Sequence, residues 1–282
     1  MDLGLLLSAT LSFAAPLVFA AMGGLMSERS GVINIGLEGK MLIASALTAI
    51  FSLRTGNPII GLSIGLIGSI AFSYLHYLFT QKFRIDHIVS GMAINAGAYG
   101  VSNFLDRRLV EATSVQELPR IPSGILVTLA FLLPVAIYYF MNSTRGGLRM
   151  IAVGQSPEKS RQMGVSPLRV RWQSLVFTGV FCGLGGALVV TSAGSYVDNI
   201  TAGRGYIALA ALILGGWRPL PALAACIVFG FFEALQLQLQ GTALAGVKLP
   251  PEFWKALPYL ATLFALAGFV GKNKAPSGLG KP

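Results

Sequence analysis

Eight stretches of this chain run without a single Lys, Arg, Asp or Glu, most of them long enough to cross a bilayer. They are Leu3 to Leu25, Met41 to Leu53, Pro58 to Phe79, Ile88 to Leu105, Ile125 to Met141, Gln173 to Val197, Leu220 to Phe232, and Ala256 to Gly271; the second has a polar lead-in from Gly31 that holds Glu38 and Lys40, and the seventh continues past Glu233 to Leu239. In hydrocarbon every backbone amide has to bond within its own segment, and about 20 apolar residues at 1.5 Å rise cross a roughly 30 Å core as a helix. Gly205 to Gly216 is also apolar, but its twelve residues reach only roughly 18 Å. The expected fold is therefore all-α and polytopic, a single transmembrane domain over 1–282 with about nine spans, one of them short or broken.

Composition agrees with a lipid solvent: 54% of the 282 residues are hydrophobic and only 11% charged, with a mean hydropathy of +0.69. Nine spans put the termini on opposite sides. With the C-terminus inside, thirteen Lys and Arg fall on inner segments and seven on outer ones, so the positive-inside rule favours N-out and C-in. The net charge of +10 then edges apolar spans instead of forming an aromatic-studded basic surface, which argues against nucleic acid as a partner. The first segment begins with Asp2 in place of a basic n-region and reads as a retained span. Cys182 and Cys226 lie in apolar stretches, outside any CxxC pattern, and read as buried thiols.

A faint internal repeat runs through the chain. Phe19-Ala-Ala-Met-Gly-Gly-Leu25 is similar to Phe181-Cys-Gly-Leu-Gly-Gly-Ala187, and each leads through a polar, glycine-bearing stretch, 31–40 or 199–205, into another apolar segment. The first copy enters its span from inside and the second from outside, so the repeat is inverted: about 3–141, then an inner loop 142–172, about 173–271, and an inner tail 272–282. Inverted repeats with interrupted helices mark many transporters, because broken helices turn backbone groups and dipole ends toward a solute path. Gly61-x-x-x-Gly65 and Gly179-x-x-x-Gly183 read as close helix packing.

Asn34, Glu38 and Lys40 set an amide and two ionisable groups at the start of a span, where a charge costs at least about 2.5 kcal/mol on insertion scales. Such groups either line a solute path or gate, or, for Glu38 and Lys40, pair with each other or snorkel to the surface. Glu233, Gln236 and Gln240 share a helical face, either as a stripe at the outer mouth or as a buried seam. Asn95, with Asn103 and Ser90, is a further amide of this kind. His76 and His87 read as interfacial residues. The 142–172 loop carries six basic residues and one acid; Ser156 as a cap, Pro157 at the first position and Gly164 at the end predict a short surface helix between Gly154 and Gly164. An ordinary basic loop against anionic lipid is the other reading.

Several motifs resemble the permease family of bacterial ABC importers that includes the branched-chain amino acid, ribose-type and nucleoside systems. Glu28-Arg-Ser-Gly-Val-Ile-Asn-Ile-Gly-Leu-Glu-Gly39 is similar to its N-terminal signature, in the form of the nucleoside and simple-sugar branch. Thr144-Arg-Gly-Gly-Leu-Arg-Met-Ile-Ala-Val-Gly-Gln-Ser-Pro157 through Ser166 resembles the loop that contacts the ATPase; Thr201 to Ala210, Leu214 to Trp217 and Ala275 to Gly280 also match. Lys40 departs from the pattern, which has an apolar residue there.

The resemblance implies a non-enzymatic permease in the bacterial inner membrane. Its partners would be an ATP-binding cassette subunit, a second permease and an extracytoplasmic solute-binding lipoprotein. Its solute would be a nucleoside, with a simple sugar next and branched-chain amino acids as an alternative. Gly154, Ser156, Glu158, Arg161 and Gly164 would form the coupling helix. Asn34, Glu38 and Asn95, then Arg204 and Glu233, would contact solute or gate its path. The chain has no G-x-x-x-x-G-K-[S/T] loop, so ATP belongs to the partner and no cofactor is expected here. From the residues alone, an ion-coupled secondary transporter using Glu38 and Glu233 is the competing class.

Overall fold

The structure, a computed structural model, describes residues 3–109, 118–119, 121–240, 243–244, 247–248, 250, 253–254, 256, 260, 263 and 275–281. The chain folds as α1 (Leu3–Arg29), α2 (Leu37–Thr55), α3 (Pro58–Tyr77) closed by a π-helical turn (Leu78–Lys82), α4 (His87–Leu109), α5 (Ser123–Ser143), α6 (Arg145–Gln155), α7 (Pro157–Gln162), α8 (Pro167–Ala193), α9 (Arg204–Leu214) and α10 (Pro219–Leu239). A two-residue antiparallel hairpin pairs Ala243–Leu244 with Val247–Lys248. The apolar stretch expected over 256–271 lies almost entirely outside the described residues.

Helix ends follow local chemistry. Gly56, at φ +66°, ends α2 in the left-handed conformation that glycine adopts without penalty, and Asn57 Oδ1 then accepts from the Ile59 amide at 2.9 Å to start α3. Pro167 opens α8 and Gly194, at φ +76°, closes it. The span therefore starts at Pro167, earlier than Gln173, because Pro167 suits a first helical turn even where the sequence is still basic.

α1 and α8 form the centre. Nearly every residue of α1 from Ala14 to Glu28 is buried, as is the second half of α8. The two repeat-like segments lie against each other: Thr178 Oγ1 donates to the Gly23 carbonyl at 2.8 Å, and a Cβ on Gly185 would sit 3.2 Å from the Phe19 Cβ and the Pro16 carbonyl. Such contact requires small residues, since lipid tails give helices no hydrophobic reason to associate and packing has to supply it. Gly61 and Gly65 abut Thr48 and Ser52 of α2, and Gly179 and Gly183 abut Ile70 and Leu66 of α3, the packing role read from their spacing.

Around this centre α3, α4, α5 and α10 turn apolar side chains outward, among them Ile59, Ile67, Met92, Phe104, Ile125 and Leu132. Among the described residues five helices, Leu3–Arg29, Pro58–Lys82, Ser123–Ser143, Pro167–Ala193 and Pro219–Leu239, are long and apolar enough to cross a membrane. α2 carries Glu38, Lys40 and Arg54, and α9 has only 11 residues. The protein is a multi-pass, helical membrane protein.

Candidate functional site: where two helix starts meet

The polar residues singled out in the sequence converge on the starts of α2 and α9. α1 ends in Ser27-Glu28-Arg29, the chain turns through 30–36, and α2 begins at Leu37; α9, which begins far along the chain at Arg204, starts beside it. Glu38 joins the two. Its Oε1 accepts from Thr201 Oγ1 at 2.6 Å and the Gly203 amide at 2.8 Å, while Oε2 accepts from the Gly205 amide at 2.6 Å. A carboxylate at a helix N-terminus satisfies orphan amides and meets the positive end of the macrodipole. The contact is so close that a Cβ on Gly205 would lie 2.6 Å from the Glu38 Cα, so position 205 excludes any side chain.

Asn95 of α4 repeats the device for α2. Its Oδ1 accepts from the Gly39 amide at 2.8 Å, and its Nδ2 donates to the Ile35 carbonyl at 3.1 Å and to the Tyr206 hydroxyl of α9 at 2.9 Å. Asn34 is fully buried; its Nδ2 donates to Ser27 Oγ at 3.0 Å and its Oδ1 accepts from Lys40 Nζ at 2.8 Å. Glu28 accepts from the Asn34 amide and, across the molecule, from the indole N–H of Trp217.

Two sequence readings change here. Lys40 neither pairs with Glu38 nor snorkels: it is fully buried, and its Nζ lies 2.8 Å from Asn34 Oδ1 and 3.1 Å from His76 Nδ1. Two residues apart, Glu38 and Lys40 point roughly 200° apart around α2, directing one to α9 and the other to α3. His76, expected at the interface, is fully buried as Lys40's partner.

Toward the far end of α10, Glu233 accepts from Arg204 Nη2 at 2.6 Å, with each side chain 19% exposed. Arg204 also donates to the Ile200 carbonyl at 3.1 Å and borders a cavity of about 490 Å³ with Ser12, Ser123 and Ser192. Glu233 thus belongs to a helix-to-helix seam. Of the five proposed path residues, Asn34, Glu38 and Asn95 form one connected cluster, and Arg204 with Glu233 form a second.

The other face centres on α6 and α7. Ser156 Oγ accepts from the Lys159 amide at 3.4 Å, Pro157 opens α7, and Gly164 adopts φ +80°, as the spacing predicted. Glu158, Lys159, Arg161, Gln162 and Met163 form an exposed face. α6 went unread in the sequence, although Thr144 is a good cap: its Oγ1 accepts from the Gly147 amide at 3.1 Å. Gly154 lies against the Arg29 carbonyl, so the α6 end contacts the turn that leads into α2.

A segment over 275–281 holds this face together. The Gly278 amide donates to the Gly154 carbonyl and the Gly280 amide to the Gly31 carbonyl, each at 2.9 Å. Ser277 Oγ donates to the Gln155 carbonyl at 2.9 Å. Arg171 of α8, 1% exposed, gives Nη2 to the Lys281 carbonyl at 2.7 Å, Nη1 to Gln81 at 2.7 Å and Nε to the Ser30 carbonyl at 3.3 Å. Its basic charge gave no hint of a buried brace.

Residues 6–266 match the family described as branched-chain amino acid transport system, permease component. The chain is similar to the guanosine ABC transporter permease protein NupQ of Bacillus subtilis, with 34% identity over 99% of this chain and 96% of that protein. It is also similar to the nucleoside ABC transporter permease protein NupC of Lactococcus lactis, with 33% identity over 94% and 92%. Among solved structures, an inward-facing putative metal-chelate type ABC transporter shares the fold at a TM-score of 0.52 and 14% identity, over 92% of this chain and 83% of that one.

Proposed function

The chain belongs to the branched-chain amino acid transport system permease family, and from that membership we propose that it is the membrane-spanning subunit of an ATP-driven nucleoside importer. The observation that carries the solute class is the similarity over 99% of the chain to a guanosine permease. In this reading the chain crosses the bacterial inner membrane about nine times, N-out and C-in, as a single domain of two inverted repeats. It assembles with a second permease, an ATP-binding cassette subunit and an extracytoplasmic lipoprotein. An ion-coupled carrier, the other class open to buried carboxylates, does not fit the family.

The mechanism is alternating access. The α7 face with Glu158 and Arg161, flanked by Gly154, Ser156 and Gly164, sits in the ATPase and follows its closure. Contact of Gly154 with the Arg29–Gly31 turn passes that motion to the start of α2. Because Asn34, Glu38 and Asn95 spend their hydrogen bonds on the α2 and α9 starts, they act as the gate; solute contact falls to Arg204 and the hydroxyls beside it, which suit the polar edges of a nucleoside.

Reconstitution with the second permease, the ATPase and the lipoprotein tests this. Radiolabelled guanosine uptake that requires ATP is expected, whereas uptake of leucine or glucose but no nucleoside overturns the solute assignment. Glu158→Lys or Arg161→Glu is expected to insert normally yet fail to retain the ATPase on affinity purification; unchanged retention removes α7 from the coupling role.

A further inference from the structure

A cavity of about 190 Å³ lies at the α7 end of the bundle between α1, α5 and α10, lined by Arg29, Tyr138, Asn142, Arg218 and Leu220 among others. Its two arginines are near enough to act on each other electrostatically. Among the described residues neither guanidinium has an acidic partner, and the buried Nε of Arg29 has no hydrogen-bond partner at all. Two uncompensated cations sharing one cavity repel each other, a cost that a bound anion removes. The start of α10 adds little to this: Pro219 and Pro221 carry no N–H and the Ala222 amide donates to the Arg218 carbonyl at 3.1 Å, which leaves the Leu220 amide.

We propose that this cavity holds the phosphate of an anionic phospholipid headgroup. The surroundings favour a lipid over a free ion: Leu220 lines the cavity, and further along the two helices Leu132 and Val135 on α5 and Val228 on α10 are also exposed, 42–60% for the four, giving acyl chains an apolar surface to follow. Tyr138, 48% exposed, stands where interfacial aromatics collect. Basic pockets between helices at the cytoplasmic side are suited to acidic headgroups. The assignment to that leaflet rests on the N-out topology proposed above; binding itself does not.

The test is native mass spectrometry and thermal melting of the purified full chain in phosphatidylcholine nanodiscs, with phosphatidylglycerol or inorganic phosphate added. Phosphatidylglycerol is expected to stay bound and raise the melting temperature, while phosphate alone does neither. Arg218→Gln should cut retention roughly five-fold, in line with what one cation contributes at an anionic surface, and Arg218→Lys should restore much of it. Leu220→Trp, which fills the cavity without touching charge, should also reduce retention and guards against a variant that misfolds. Equal retention by Arg218→Gln and the native chain overturns the proposal. So does stabilisation by phosphate alone, and so does loss of ATPase association in Arg218→Gln with lipid retention unchanged, which assigns the arginines to a protein partner. None of these readouts requires transport, so the lipid site and the solute assignment fail separately.

Discussion

Glu38 closes three hydrogen bonds, two of them to backbone amides of the α9 start. Bonds to a charged acceptor are worth about 1.5–3 kcal/mol each to lose when their partners stay buried. Glu38→Ala is therefore expected to lower the melting temperature in detergent sharply, and Glu38→Gln less, since its amide oxygen still accepts. Gly205→Ala, which adds a methyl where the Glu38 backbone lies, should be at least as damaging as Glu38→Ala; an unchanged melting temperature in Gly205→Ala refutes the close approach. For Arg204 and Glu233, Arg204→Glu and Glu233→Arg should each destabilise while the double exchange regains much of the loss, a coupling that a double-mutant cycle in thermal melts measures. Glu38 was visible in the sequence as a charge out of place in a span. What it serves was not, because its partners stand 163 to 167 residues away and intramembrane acids that gate, pair or cap look alike in one dimension.

At the level of elements, the long apolar runs announced α1, α3, α5, α8 and α10, since hydrocarbon leaves a helix as the way to satisfy their backbones. α7 was legible from its Ser-Pro start and Gly end. α6 was hidden by Gly146 and Gly147, which a propensity argument counts against a helix, though Gly147 is required because a Cβ there would strike the Phe140 carbonyl. The 275–281 segment reads in the sequence as part of an inner tail, and it bonds to Gly31, Gly154, Gln155 and Arg171. Deleting 275–281 is expected to leave the spans intact and expose the α6–α7 region, so limited trypsin digestion should cut at Lys159 and Arg161 several-fold faster. Unchanged cleavage means the segment holds nothing in place.

For the whole molecule, the charge asymmetry of the connections is the sequence argument for orientation, and Met163 and Asn57 give it a direct test. Met163 is 84% exposed on the α7 face, Asn57 caps α3 at the opposite end of α2, and both native cysteines are buried, so background labelling is low. An impermeant maleimide is expected to label Asn57→Cys in intact cells and Met163→Cys only after permeabilisation; the reverse pattern inverts the topology. The order of synthesis adds a consequence to the brace on the α7 side. Gln155 waits for Ser277, 122 residues further along, and Arg171 for Lys281, 110 residues further. At roughly 5–20 residues per second that delay is about 6–24 s, during which the preceding helices are made but the α6–α7 face lacks its brace. A chain stalled before residue 275 would insert its spans with the α6–α7 face still unbraced, so this face is among the last parts of the described fold to be set.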